Sequence, residues 1–142
     1  MKAARKRALG DTKLVSVIVF AMKNAGRMLL VGPDESGCMG FPSKEFDGNL
    51  NGSLDDTMRR TLDGFTSSRD VPVEYTGSFV ARRGGVVEVV YNFSADSPDE
   101  SIRVPHVWAS PVEIKTMDVD FRTAACLKSF ELLRAGRPRS IK

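Results

Sequence analysis

Between Gly40 and Ser67 the chain reads GFPSKEFDGNLNGSLDDTMRRTLDGFTS, a stretch that mixes acids and bases with loop-forming glycines. Glu45, Asp47, Asp55, Asp56 and Asp63 are oxygen donors, and Lys44 and Arg60 are cations suited to an anion. Magnesium takes carboxylates together with substrate phosphate oxygens, and the water it activates can cleave a phosphoanhydride. That chemistry needs several carboxylates on one face of one element. On a helix, positions 61, 64 and 65 share a face, but they hold Thr61, Gly64 and Phe65: a neutral hydroxyl, no side chain and an apolar ring. Asp63 lies two residues beyond Thr61 and projects roughly 200° away around the helix. Asp56 and Asp63 are instead spaced to pair with Arg60 at i−4 and i+3. A displaced metal site would have to draw on Asp47, Asp56 or Glu113.

The elements that position these residues are legible in part. Ser53 is a good N-cap with Asp56 three residues on, and Leu54, Met58, Leu62 and Phe65 make an apolar stripe, which predicts a buried-face helix ending near Gly64. Val15 to Phe20 reads as a buried strand, and Asn24-Ala25-Gly26 as a turn into Arg27 to Val31. Gly32 to Gly40 reads as a loop, as does Pro42 to Gly52. Tyr75–Ala81 and Val86–Ala95 read as strands joined by a turn at Arg82-Arg83-Gly84-Gly85. In the second, Val87, Val89, Tyr91 and Phe93 alternate with Glu88, Val90 and Asn92, so one face is expected to be more buried than the other. Asp96 to Val104 should loop, and Val107 and Trp108 return to the sheet. A Ser110 cap and Pro111 predict a short helix through Met117. A last amphipathic helix is predicted over Phe121 to Ala135, stopping at Gly136.

The stretch from Gly40 resembles the box of the Nudix (MutT-like) hydrolases, in which Gly, a five-residue gap, Glu and a seven-residue gap precede Arg-Glu-apolar-x-Glu-Glu-x-Gly-apolar. Counted from Arg60, the four glutamate positions fall on Gly52, Thr61, Gly64 and Phe65, and the closing glycine on Ser67. Met39-Gly40-Phe41-Pro42 is similar to the family's Trp-Gly-Leu-Pro, with Ser43 and Lys44 where two glycines are usual. Val15 to Leu30, Tyr75 to Ala95 and Trp108 to Arg122 resemble other family segments in the same order. The resemblance implies an α/β protein, a Nudix-like α/β/α sandwich with a mixed central sheet over residues 14–135, flanked by basic tails at 1–13 and 136–142.

Length and composition fit one globular domain, and no apolar run is long enough for a transmembrane helix. Residues 1–13 hold Lys2, Arg5, Lys6, Arg7 and Lys13 against Asp11, and residues 134–142 hold Arg134, Arg137, Arg139 and Lys142, so the net charge of +3 rests on basic ends around an acidic body. Without a targeting segment in view, a cytoplasmic location is the expectation. Cys38 and Cys126 are too few for a disulfide framework and read as free thiols, Cys126 packed and Cys38 in a glycine-flanked loop. His106 is the only histidine and has no partner identifiable by motif.

The resemblance implies a hydrolase, and the missing glutamates reverse that expectation. The leading reading is a degenerate Nudix-fold protein that binds a nucleotide-like or other anionic ligand, or a macromolecular partner, without metal-dependent hydrolysis and with no catalytic or metal-ligating residues. Lys44, Arg60, Arg82, Arg83 and Trp108 are the ligand-binding candidates: four cations for phosphate and one ring for a base. Two alternatives stay open. One is a divergent hydrolase that cleaves a nucleoside diphosphate linked to another moiety, with Mg or Mn held by the relocated acids. The other is an RNA-associated accessory protein whose basic tails carry the affinity. Homodimerisation is left open.

Overall fold

A computed structural model describes residues 12–46, 53–67, 71–96 and 101–129. Residues 1–11 of the N-terminal basic tail, the C-terminal basic tail, Asp47, Gly52 and the predicted stop at Gly136 lie outside the described residues, and Lys13, read as tail, opens the first strand. Six strands, β1 (Lys13–Asn24), β2 (Arg27–Val31), β3 (Ser43–Phe46), β4 (Val73–Arg83), β5 (Val86–Asp96) and β6 (His106–Ala109), form one sheet. Its order is β4-β5-β1-β2-β6, with β3 paired to the first half of β1. β1 and β5 run parallel and the other pairs are antiparallel, so the sheet is mixed. Three helices stand among the described residues: α1 (Leu54–Asp63), α2 (Pro111–Ile114) and α3 (121–129).

Alternation along β1 sends its side chains to two separate cores. Ile18, Phe20 and Met22 meet Met58 and Leu62 of α1 on one face, together with Leu29 and Phe93. Val15, Val17 and Val19 meet Ile114 of α2 and Cys126 of α3 on the other, with Leu30 and Val90. The result is the α/β/α sandwich expected from the sequence. Each fully buried Ile, Phe or Leu contributes about 1.5–3 kcal/mol, which explains why the central strand is apolar on both sides.

Several local expectations are met. Ser53 Oγ accepts from the Asp56 amide at 3.0 Å, and α1 ends with Gly64 as its C-cap. Ala25 and Gly26 both take positive φ, the twist a two-residue hairpin turn requires. Three differ. β3 replaces part of the loop read from Pro42 to Gly52, because pairing with β1 imposes a strand on Ser43–Phe46, which lack an apolar pattern. Arg82 and Arg83 belong to β4, leaving Gly84 and Gly85 as the turn. α2 ends at Ile114, with Thr116 and Met117 in tight turns that bond Glu113 and Ile114 carbonyls.

β5 is the most instructive strand. In its first half the buried positions are Glu88, Val90 and Asn92, whereas Val87, Val89 and Tyr91 are only half-buried, and their face closes only farther on, at Phe93 and Ala95. α3 supplies the partners that make this polar face tolerable: Arg122 for Glu88 and the Cys126 thiol, which bonds Asn92 Oδ1 at 3.4 Å. The loop before β3 is stitched to the same helix. Phe41 N donates to Thr123 Oγ1 at 2.9 Å, and Asp120 N donates to the Met39 carbonyl. A Cβ on Gly40 would collide with the Asp120 carboxylate, which caps α3 by accepting from Thr123 N at 2.8 Å. Only glycine lets these two segments approach so closely.

The two thiols should react unequally. Burial pushes the Cys126 pKa up to about 12, and Asp120 adds to the shift against Arg122. Cys38 is half-buried, and its pKa is raised by desolvation and then by Asp34 and its acidic neighbours, Asp118 and Asp120. The thiolate is the reactive form. A disulfide reagent at mildly alkaline pH should therefore titrate Cys38 in the native protein, faster as pH rises, and reach Cys126 only in denaturant. Rapid native modification of Cys126 would contradict the packing of α3.

Candidate functional site

α1 carries the box. Its first-turn acids, Asp55 and Asp56, are exposed and lie where negative charge favours a helix N-terminus. On the next turns Thr57 and Thr61 are both buried, and each hydroxyl is turned back on the helix: Thr57 Oγ1 donates to the Ser53 carbonyl at 3.3 Å and Thr61 Oγ1 to the Thr57 carbonyl at 2.8 Å. Gly64 closes the helix and Phe65 is half-buried. The described box positions therefore present a closed, neutral face. Arg60 does not pair with Asp56 or Asp63. Its Nη2 leans on Thr57 Oγ1 at 3.4 Å, because an exposed ion pair on a helix gains only about 0.2–0.5 kcal/mol and does not fix the side chain.

The remaining acids stand apart. Glu113 is locked in a capping box, accepting from Ser110 N through Oε1 at 2.9 Å while its own amide donates to Ser110 Oγ at 3.2 Å. The hydrogen bond from the Ser110 backbone holds its carboxyl below the ordinary range, helped by the Ser110 hydroxyl and by Arg27 against some desolvation. α2, which carries Glu113, and α1, which carries Asp56, pack on opposite faces of the sheet. Among the described residues no three of His, Cys, Asp or Glu converge as a metal would require.

The ligand candidates are also scattered. Lys44 is exposed on β3, in register with Ile18 on the α1 side. Arg82 and Arg83 end β4, and the Arg83 guanidinium sits 5.0 Å over the Phe121 ring. Trp108 lies on β6, half-buried against the α1-side core, with the His106 ring edge-on at 6.3 Å. His106 Nδ1 bonds the Val104 carbonyl at 2.7 Å. β4 and β6 are opposite edges of the sheet, so Arg82, Arg83 and Trp108 do not share one small ligand. Trp108 instead lines a pocket of about 310 Å³ with Asn24, Ala25 and Arg27.

A more coherent polar site was missed from sequence. At the C-terminal end of α1, a pocket of about 370 Å³ is lined by Arg59, Asp63, Thr66, Ser67 and Arg103. The Thr66–Ile102 bridge builds it, with Arg103 N donating to the Phe65 carbonyl at 2.9 Å and Ser67 N to the Ser101 carbonyl at 2.7 Å. Arg59 is anchored through Nη1 to the Val71 carbonyl at 3.0 Å. Among the described lining residues two guanidiniums accompany one carboxylate, so that lining is net cationic. The only linear signal was Arg59 itself, overshadowed by Arg60; Arg103 lay in a segment read as a plain loop.

No protein-family model matches the sequence, and no curated protein sequence matches it either. Solved structures do. The ORF135 protein of E. coli superposes with a TM-score of 0.68 at 22% identity, over 91% of this chain and 96% of that one. A NUDIX hydrolase from Nitrosomonas europaea gives 0.61 at 17% identity, over 84% and 90%. The NUDIX domain of Shewanella oneidensis NrtR, solved with ADP ribose, gives 0.60 at 18% identity, over 90% and 88%. With the mixed sheet, the two helical layers and the capped box helix already in place, these neighbours establish that the chain has the Nudix fold.

Proposed function

We propose that this Nudix-fold chain binds a phosphate-bearing, nucleotide-like ligand without metal-dependent hydrolysis. The observation that carries the reading is the state of Thr57 and Thr61: buried, neutral and hydrogen-bonded to the helix's own carbonyls. A divalent cation gains nothing from that face, and a phosphoanhydride there would meet no activated water. The cationic pocket of Arg59 and Arg103 is the seat for the ligand's phosphates, since guanidiniums grip them bidentately without a metal. The NrtR domain, a structural neighbour, was solved with ADP ribose, which makes that compound the first to try.

The test pairs calorimetry with a turnover assay. ADP ribose, dinucleoside polyphosphates and nucleoside triphosphates should show no cleavage with magnesium or manganese. Binding of one or more of them should survive a chelator. Arg59→Ala with Arg103→Ala should weaken that binding about tenfold or more, since a hydrogen bond to a charged group is worth about 1.5–3 kcal/mol. Metal-dependent turnover lost in Asp56→Ala or Glu113→Ala would overturn the reading in favour of a hydrolase with relocated acids. Affinity for RNA that fell with removal of residues 1–13 and 136–142 would move the function to the tails.

A further inference from the structure

Another cavity lies far from helix α1, on the other side of the sheet. A cleft of about 640 Å³ runs between edge strand β4 and helix α3. Phe79 and Ala81 form one wall, and Phe121, Ala124 and Ala125 the other. The space exists because three of these five side chains are single methyl groups. Larger residues there would have sealed α3 onto the strand, as Val90 and Cys126 do nearer the centre. The size is that of small-molecule sites, which run from about 300 to 1,000 Å³, rather than of a protein interface.

Charge narrows the occupant. Arg82 and Lys128 also line the cleft, and among the described residues no acidic one does. Arg83 stands next to it with its guanidinium against Phe121. The nearest helix acid-base pair, Arg122 with Glu88, is internally neutralised and points into the core. An apolar floor flanked by unbalanced cations suits a ligand with a hydrocarbon or aryl body and one anionic end.

We propose that the cleft between β4 and α3 binds a small amphiphilic carboxylate, its apolar body lying on Phe79, Phe121 and the alanines and its carboxylate meeting Arg82 and Lys128. This site is separate from the Arg59–Arg103 pocket, and either can fail without the other. Decanoate is the probe, followed by calorimetry and by displacement of a fluorescent anilinonaphthalene sulfonate. One decanoate should bind per chain. Ala124→Trp, at an exposed helix position, should fill the cleft and abolish that binding while the melting temperature and the binding of phosphate ligands stay unchanged. Arg82→Glu with Lys128→Glu should weaken decanoate about tenfold, the scale of one charged hydrogen bond, and leave decanol unaffected.

Absence of decanoate binding would overturn the proposal, as would an equal loss of decanoate and decanol on charge reversal. Retention of binding in Ala124→Trp would place the ligand elsewhere. A chain that dimerises in sedimentation and becomes monomeric in Ala124→Trp would show that a second copy, not an amphiphile, occupies the cleft.

Discussion

Arg122→Ala should cost about 3–5 kcal/mol of folding stability, the range for removing one partner of a buried ion pair. Glu88 lies on the inner strand β5 with its side chain only 7% exposed, and Arg122 closes it with two parallel bonds, Nε to Oε1 at 3.0 Å and Nη2 to Oε2 at 2.9 Å. Glu45 adds a third contact from β3 at 3.3 Å. Burial disfavours the Arg122 cation, but the hydrogen bond to Glu88 and the charges of Glu88, Glu45 and Asp120 outweigh it, so its pKa lies above the ordinary arginine value. Arg122 therefore stays charged throughout the neutral range. Without Arg122, a carboxylate would be stranded among Val90, Val15 and Cys126. Urea unfolding reads the loss as a lower midpoint. The double replacement Glu88→Leu with Arg122→Leu should recover most of it, because apolar pairs of similar volume substitute well for buried ion pairs. A single-mutant cost below about 1 kcal/mol, the ceiling for exposed pairs, would show that the bridge is not buried in solution.

Thr61→Glu, which places a glutamate where the resemblance to the Nudix box would have one, should damage the protein rather than create a metal-dependent hydrolase. Thr61 is 6% exposed and its hydroxyl is already satisfied by the Thr57 carbonyl. A longer, ionised side chain at that site must either bury an unpaired charge or force α1 off the sheet, at a cost of about 3 kcal/mol or more. Thr61→Val is the shape-matched control and should lose only the hydroxyl's bond, about 1 kcal/mol. Chemical denaturation of both variants, alongside a magnesium-dependent assay on ADP ribose, separates the outcomes. A Thr61→Glu protein as stable as the parent would mean that the box face is open after all.

What could be read in the sequence was what neighbours along the chain determine. The Ser53 cap and the stripe of Leu54, Met58 and Leu62 place α1 correctly, and the Asn24-Ala25-Gly26 turn places the β1–β2 hairpin. What escaped depends on partners far along the chain. β3 is a strand because β1 offers it a ladder, not because Ser-Lys-Glu-Phe favours one. Glu88 and Asn92 are buried because α3 brings Arg122 and Cys126 to them, each 34 residues away. Alternation within β5 carries no trace of that helix. The cationic pocket is similar: Arg59 and Arg103 meet only through the bridge between Thr66 and Ile102. The residue types at positions 61, 64 and 65 are the reverse case, since they are local and could be read directly.

The parallel seam at the centre of the sheet has a consequence for how the chain assembles. β4 and β5 are joined by two glycines and can zip up as soon as they are made, whereas β1 pairs Lys13 with Val86 and Lys23 with Asp96, across more than seventy residues of intervening chain. Closing so long a loop spends entropy before any contact in the seam repays it, and topologies dominated by such distant pairings fold slowly. Both hydrophobic cores draw on β1, so neither can consolidate until that strand docks. Formation of the seam between β1 and β5 is thus the expected slow step of folding, with the edge of β5 unpaired until β1 docks.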